Sequence, residues 1–199
     1  KKVHELYAKY SQEIFDDQLH TIKAEIGERI VLSQMWNACY KKATANILMQ
    51  AGDDIVFRTH GWDKVVIQKF DEYPDKIAFV YGNDLNQPRT FGTHWFISRR
   101  AVEVIGYFVP PYFSSDYTDT WWNDVYKEIG RHVYVDIITE HLHYTIGKAP
   151  LDATTHDRLA RHTRDDVRQI YQEKKEERAQ DARKLRQYIH ACCSPPAMI

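Results

Sequence analysis

Gln50-Ala-Gly-Asp-Asp-Ile-Val-Phe-Arg-Thr-His-Gly-Trp-Asp63 sets two adjacent carboxylates, Asp53 and Asp54, directly before an apolar, β-branched run. Ile55, Val56 and Phe57 predict a short strand, since branched and aromatic side chains suit a pleated, half-covered surface. Upstream, Met35, Trp36, Cys39, Tyr40, Ala43, Ile47 and Leu48 recur near helical spacing, which predicts a helix over Ser33 to Met49 that Gly52 ends. The two aspartates then stand at a helix-to-strand junction. Adjacent carboxylates repel each other unless a cation, amide N–H groups or water offset the charge. Hard divalent ions such as Mg²⁺ and Mn²⁺ prefer such oxygen donors. A solvated turn uses the same residue types, so the pair takes its meaning from the rest of the chain.

A second acidic stretch runs from Tyr112 to Gly130 and passes from a loop into an amphipathic helix. Thr118 or Asp119 can cap that helix. Trp121, Trp122, Val125, Tyr126 and Ile129 form its apolar face, and Gly130 with Arg131 ends it. Asp116, three residues before Asp119, has no such capping role. A third stretch, Val133 to Asp152, opens on a β-branched run that reads as a strand. In an extended segment His141 and His143 project to one face, where imidazoles can share a metal or contact a phosphate. With ten histidines in the chain, the plainer use of each is a structural hydrogen bond.

The order of Gly52-Asp-Asp54, Thr93-His-Trp-Phe-Ile-Ser-Arg-Arg100, Ser115-Asp-Tyr-Thr-Asp-Thr-Trp121 and Glu140-His-Leu-His143 resembles that of a GT-A fold nucleotide-sugar glycosyltransferase. The likeness is to family 2 enzymes of bacterial or viral type and covers about Ser33 to Asp152. It implies an α/β fold with a Rossmann-like mixed central sheet flanked by helices. It also implies that Asp53 and Asp54 hold Mn²⁺ or Mg²⁺ against the donor diphosphate, with Asp54 the first choice as metal ligand. Gly52 stands where such a motif often has its first aspartate. Asp119, in a helix closed by Gly130, matches the general base, with Thr118 in place of the usual Glu and Asp116 as the competing candidate. His141 or His143 completes metal or diphosphate binding in this comparison, and His94, Trp95, Trp62, Arg100 and Lys148 serve the donor and acceptor. The donor is then a UDP- or GDP-sugar and the acceptor a glycan or other hydroxyl. A divalent cation stabilises the departing diphosphate, and a carboxylate base implies a single displacement with inversion.

Length and composition bound these expectations. A chain of 199 residues supports one sizeable core, read as a catalytic domain over residues 1–155 with a helical extension over 156–199. Such domains open with a nucleoside-binding strand, helix and strand. Lys1 to Ile26 instead carries a helical stripe of Leu6, Tyr7, Tyr10, Ile14, Phe15, Leu19, Ile22 and Ile26. Either the first residues are missing or that site is built differently, with Arg29 to Ser33 as one surviving strand. Further elements are a helix over Trp62 to Tyr73 and strands over Ile77 to Tyr81 and His94 to Ser98. Gly82 to Pro88 is a turn-rich loop. From Thr163 a charged helix carries a thin stripe of Val167, Ile170, Tyr171, Ala182, Leu185 and Ile189, before a frayed end at Ser194 to Ile199. Arg158, Arg161 or Lys148 on or before it can reach a diphosphate.

The net charge of −1 gives no overall pull toward nucleic acid, although a local basic patch still admits a nucleic-acid acceptor. Three cysteines, two of them adjacent, make no disulfide framework and suit a reducing cytoplasm, or a host cytoplasm for a viral protein. No membrane span is legible. Two other function classes use the same residues. A metal-dependent phosphohydrolase or nuclease needs Asp53, Asp54, His141 and His143, and a noncatalytic binding module makes both clusters structural.

Overall fold

Phe79 to Asn83 form strand β3, and their alternation sorts the protein into two layers. Phe79 and Tyr81 join one apolar cluster, Val80 another on the opposite face, as the two-residue period of a strand requires. β4 (Trp95–Ser98) repeats the pattern, with Trp95 and Ile97 in the first cluster and Phe96 in the second. β5 (His132–His141) adds Val135 and Ile137 to the second. The computed structural model describes residues 31–193. Among these, β1 (Ile47–Gln50) and β2 (Ile55–Phe57) complete a five-stranded mixed sheet in the order β1-β4-β3-β5-β2. Only β3 and β5 run parallel.

Helices cover both faces, so the architecture is mixed α/β. α1 (Leu32–Lys42) lies at the start, and α2 (Trp62–Asp71) closes the second cluster through Val66 and Phe70. α3 (Arg99–Ile105) and α4 (Thr118–Glu128) close the first through Val102, Trp121 and Trp122. Three more helices follow: α5 (Ala153–Arg164), α6 (Val167–Glu173) and the long α7 (Lys175–Cys193). α7 buries Ala182 and Leu185 in the first cluster. Asp181, only 2% exposed, accepts hydrogen bonds there from the Tyr107 hydroxyl and from Trp121 Nε1 at 3.0 Å. The extension therefore shares its core with the preceding residues, and α5 runs straight across residue 155.

The sheet is not flat. Tyr81 pairs with Tyr134 but Asn83 with Ile138, so β5 bulges between those rungs. A Cβ on Gly82 would stand 2.5 Å from Ile137 Cγ1 and 2.6 Å from its carbonyl oxygen, so the bulge closes only over a glycine. Past it β5 bends away to pair with β2, His141 opposite Ile55 and Thr139 opposite Phe57. The result is a curled sheet, a half-barrel, whose last rung lies beside Asp54.

Several expected elements are corrected: the loop expected over Gly82 to Pro88 gives up Gly82 and Asn83 to β3, and the charged helix expected from Thr163 is broken between α5 and α6 and again between α6 and α7. The helix over Ser33 to Met49 stops at Lys42, Ala43 is extended, and Ile47 to Gln50 pair with β4 instead. Ile47 and Leu48 continue the helical spacing, but strand pairing with a buried neighbour outweighs that local pattern. The strand over Ile77 to Tyr81 begins later, at Phe79, because the Ile77 N–H is taken by Asp75 Oδ1 at 2.7 Å. The helix expected over Lys1 to Ile26 and the end at Ser194 to Ile199 lie outside the described residues. Of the strand expected over Arg29 to Ser33, Val31 instead caps α1, and Leu32 and Ser33 open it. Among the described residues no helix is long and apolar enough to cross a membrane.

Gly82→Ala is expected to lower the unfolding free energy by about 1–3 kcal/mol through overpacking, read as a lower urea midpoint. An unchanged midpoint would mean that the bulge does not depend on glycine.

Candidate functional site

Asp53 and Asp54 form the turn between β1 and β2. Leu142 N–H donates to the Asp54 carbonyl at 2.8 Å, tying that turn to the chain leaving β5. The same crossing brings His141 Nε2 to 3.0 Å from Asp54 Oδ2, a contact between residues 87 positions apart. The hydrogen bond from His141 holds the Asp54 carboxyl below the usual carboxylate range, against a partial burial that raises it. Asp53 is exposed on the same turn.

Two further imidazoles flank His141. The His94 ring meets it edge-on at 4.7 Å between centroids, and the His143 ring lies 4.7 Å from it at a tilt. His94 is 7% exposed, and burial, then the neighbouring His141, pushes its pKa down to about 4. His94 is therefore neutral at pH 7 and offers a lone pair. Burial and His141 also lower His143.

Asp53, Asp54, His141 and His143 line a cleft of about 440 Å³, and α5 supplies Arg158 and Arg161 to its wall. α5 forms where it does because Asp152 caps it, accepting the Thr155 N–H at 2.8 Å. It has no buried residue. Asp116 holds it in place, with Oδ1 at 2.5 Å from Arg158 Nη1 and Oδ2 at 2.6 Å from His162 Nδ1.

The other predicted carboxylate sits one step behind. Neither Thr118 nor Asp119 is the N-cap of α4; that position is Tyr117, in the left-handed region at φ 74°. Thr118 Oγ1 contacts Gln50 Nε2 at 3.3 Å, and Asp119 Oδ1 accepts the Thr120 N–H at 2.7 Å. Protein atoms crowd the Asp119 carboxyl even though the residue is partly exposed, and this burial, with the Asp116 charge adding to it, raises its pKa to about 6. Asp119 does not line the cleft.

Of the five residues expected at donor and acceptor, the structure brings only His94 to the cluster. Trp95 is fully buried, packed on Phe108 at 5.2 Å and Phe79 at 5.8 Å, so it belongs to the core. Trp62 stacks on Phe57 at 4.1 Å and on Phe96 at 5.6 Å, over the α2 side of the sheet. Lys148 Nζ is bound to Glu140 Oε1 at 2.5 Å, and Arg58 holds the other oxygen at 2.6 Å. Arg100 lines a separate cavity of about 660 Å³ between the start of β1, α2 and α3. That cavity is larger, but its cations are already engaged, Arg100 with Glu103 at 2.9 Å, Lys76 with Asp71 at 2.7 Å and Arg99 with the Ala43 and Ala45 carbonyls at 2.7 and 2.9 Å. None of the clustered imidazoles lines it, so the smaller cleft is the candidate site.

Two residues near the cleft were not legible as functional. His162 bonds Asp116 as described. Asp84, 3% exposed, accepts the N–H groups of Asn86 at 2.9 Å and Gln87 at 2.7 Å through Oδ1, while its carbonyl accepts the His141 N–H at 2.9 Å. Its only sequence signal is an Asp opening a turn-rich loop. Among the described residues no three of His, Cys, Asp or Glu stand close enough to hold a metal ion by themselves. No protein-family model matches the chain, and no curated protein or solved structure matches it significantly.

Because the folded-state pKa of Asp119 lies above its ordinary value, its ionisation opposes folding. The stabilising contribution of the protonated form is present at low pH and lost as pH rises through about 6. Asp119→Asn should therefore gain stability relative to wild type as pH rises from about 4 to above 6, measured by thermal melts in a pH series. A difference constant with pH would show that the carboxyl is not perturbed.

Proposed function

We propose that this chain is a divalent-metal-dependent glycosyltransferase that moves a sugar from a nucleoside-diphosphate donor to an acceptor hydroxyl, on a GT-A-like fold. The observation that carries the reading is the meeting of Asp54 and His141 at 3.0 Å in a cleft whose wall bears Arg158 and Arg161. A carboxylate oxygen and an imidazole nitrogen are suitable donors for Mn²⁺ or Mg²⁺. Such ions commonly take one or two protein carboxylates and complete their shell with phosphate oxygens and water, which suits a site with two protein donors rather than four. A bound Mn²⁺ or Mg²⁺ supplies Lewis-acid stabilisation of the departing diphosphate.

The chain's own residues do the rest. The guanidinium groups of Arg158 and Arg161 match phosphate oxygens in charge and geometry. Arg158 must exchange Asp116 for the phosphate, and Arg161 must exchange Asp157, which links donor binding to release of those carboxylates. Asp119 is assigned the acceptor proton, and because it does not line the cleft, transfer requires the acceptor hydroxyl to reach past the cleft wall to it. A carboxyl with a pKa near 6 is mostly ionised at neutral pH yet a stronger base than an ordinary aspartate. A base acting directly on the acceptor gives inversion.

Calorimetric titration with UDP and with GDP, each with and without Mn²⁺, tests the reading. Wild type is expected to bind one nucleotide in a Mn²⁺-dependent way, and Asp54→Ala to lose that dependence. Asp119→Asn should keep nucleotide binding and lose transfer by at least about 10²-fold. Transfer lost in Asp116→Asn but kept in Asp119→Asn would move the base to Asp116. A folded wild type that binds neither nucleotide would sink the proposal, and hydrolysis of simple phosphodiesters would replace it with a hydrolase.

A further inference from the structure

Three buried polar atoms of residues grouped at His141 have no hydrogen-bond partner among the described residues: Asp84 Oδ2, His94 Nε2 and His141 Nδ1. A buried polar group left unpaired has lost its water without replacement, so three together call for a common explanation. The residues are mutual neighbours. Asp84 is fixed to the His141 backbone through its carbonyl, the His94 ring packs on the His141 ring, and the Asp84 charge acts on His94. Asp84 is also locked in direction, because Oδ1 already holds two turn N–H groups. Only Oδ2 remains to be used.

The chemistry of His141 says what that oxygen is for. Its Nε2 faces Asp54. For that nitrogen to meet a cation it must present a lone pair, so the one proton of the neutral ring sits on Nδ1 and needs an acceptor. Metal-bound histidines generally donate this second N–H to a carboxylate, a carbonyl or a water, and the partner fixes tautomer and ring orientation.

We propose that Asp84 and His94 are positioning residues for His141, acting on its Nδ1 through one buried water shared by Asp84 Oδ2, His94 Nε2 and His141 Nδ1. Three polar partners are what a buried water typically has. His141 Nδ1–H donates to that water, which in turn donates to Asp84 Oδ2, so the carboxylate keeps the ring proton on the side away from the metal. His94 holds the water from the other side while its ring fixes the plane of His141. The inference rests on the metal reading above and adds to it two residues that touch neither metal nor donor.

Asp84→Asn is the informative change, since the amide oxygen can keep both turn N–H groups while an NH₂ replaces the accepting oxygen. His94→Phe keeps the ring contact and removes the nitrogens, and serves if the first variant fails to fold. A crystal structure of the wild type should show a water within hydrogen-bond distance of all three atoms. Titration with Mn²⁺ alone, followed by the electron paramagnetic resonance of the free ion, should show affinity weakened by about 10- to 100-fold in both variants, with thermal melts confirming that they are folded. A space without water, or a folded variant that binds Mn²⁺ as wild type does, overturns the proposal. Failure of wild type itself to bind Mn²⁺ overturns the metal reading beneath it, and the three samples separate these outcomes.

Discussion

Between Tyr81 and Asn83 the central strand advances by one glycine, while its parallel neighbour covers the residues from Tyr134 to Ile138. Everything at the candidate site depends on that mismatch. A straight β5 would stay in register with β3. With the bulge closed over Gly82, β5 turns out of that register, picks up β2 as a new partner and ends at His141 against the Asp53-Asp54 turn. Bulges recur beside functional sites because they re-aim side chains without breaking the sheet around them. Here one of them brings the end of β5 against the turn that links the two edge strands, β1 and β2.

The rest of the fold keeps that crossing rigid. The β3 alternation binds two apolar clusters to opposite faces, and the first is unusually rich in large rings, with Trp95, Trp121, Trp122 and Tyr126 all buried. α7 is part of this cluster, and its Asp181 occupies the polar gap between Tyr107 and Trp121. Burial raises the Asp181 carboxyl while those two donors pull it back. The polar groups at the cleft stand where this packing ends. His94 follows the loop into β4 and His141 closes β5, so two of the three imidazoles are carried by strand ends rather than by free loops.

How much of this could be read from the sequence differs between elements for physical reasons. Ile55 to Phe57, the helix from Trp62 and the strand ending at Ser98 were legible because local residue type and tertiary partner agree there. Ile47 to Gln50 was not, because its apolar spacing continues the preceding helix and only pairing with Trp95 to Ser98 decides the matter. At the site, the aspartate turn and the Glu140-His-Leu-His143 cluster were legible as chemistry. Their meeting at 3.0 Å depends on a bulge that no local pattern announces. Trp95 and Trp62 suit a sugar platform by type alone, and type does not distinguish such a platform from a core residue. Asp84 was invisible for a similar reason: its turn is common, and its significance lies in being next to His141 in space.

α5 contributes a wall of the cleft without burying a single side chain. Its charged tie to the domain runs through Asp116, which meets Arg158 and His162, all three partly open to solvent, beside ring contacts of Arg158 with Tyr144 and of His162 with Tyr117. Attachment by charge is screened over a Debye length of about 8 Å at physiological ionic strength, and over less in stronger salt. The two ends of this protein's C-terminal half therefore respond differently to their medium. α7 has apolar burial beneath its ion pairs to Asp124 and Glu128 and keeps its place when these are screened, whereas the charged grip on α5 weakens as ionic strength rises.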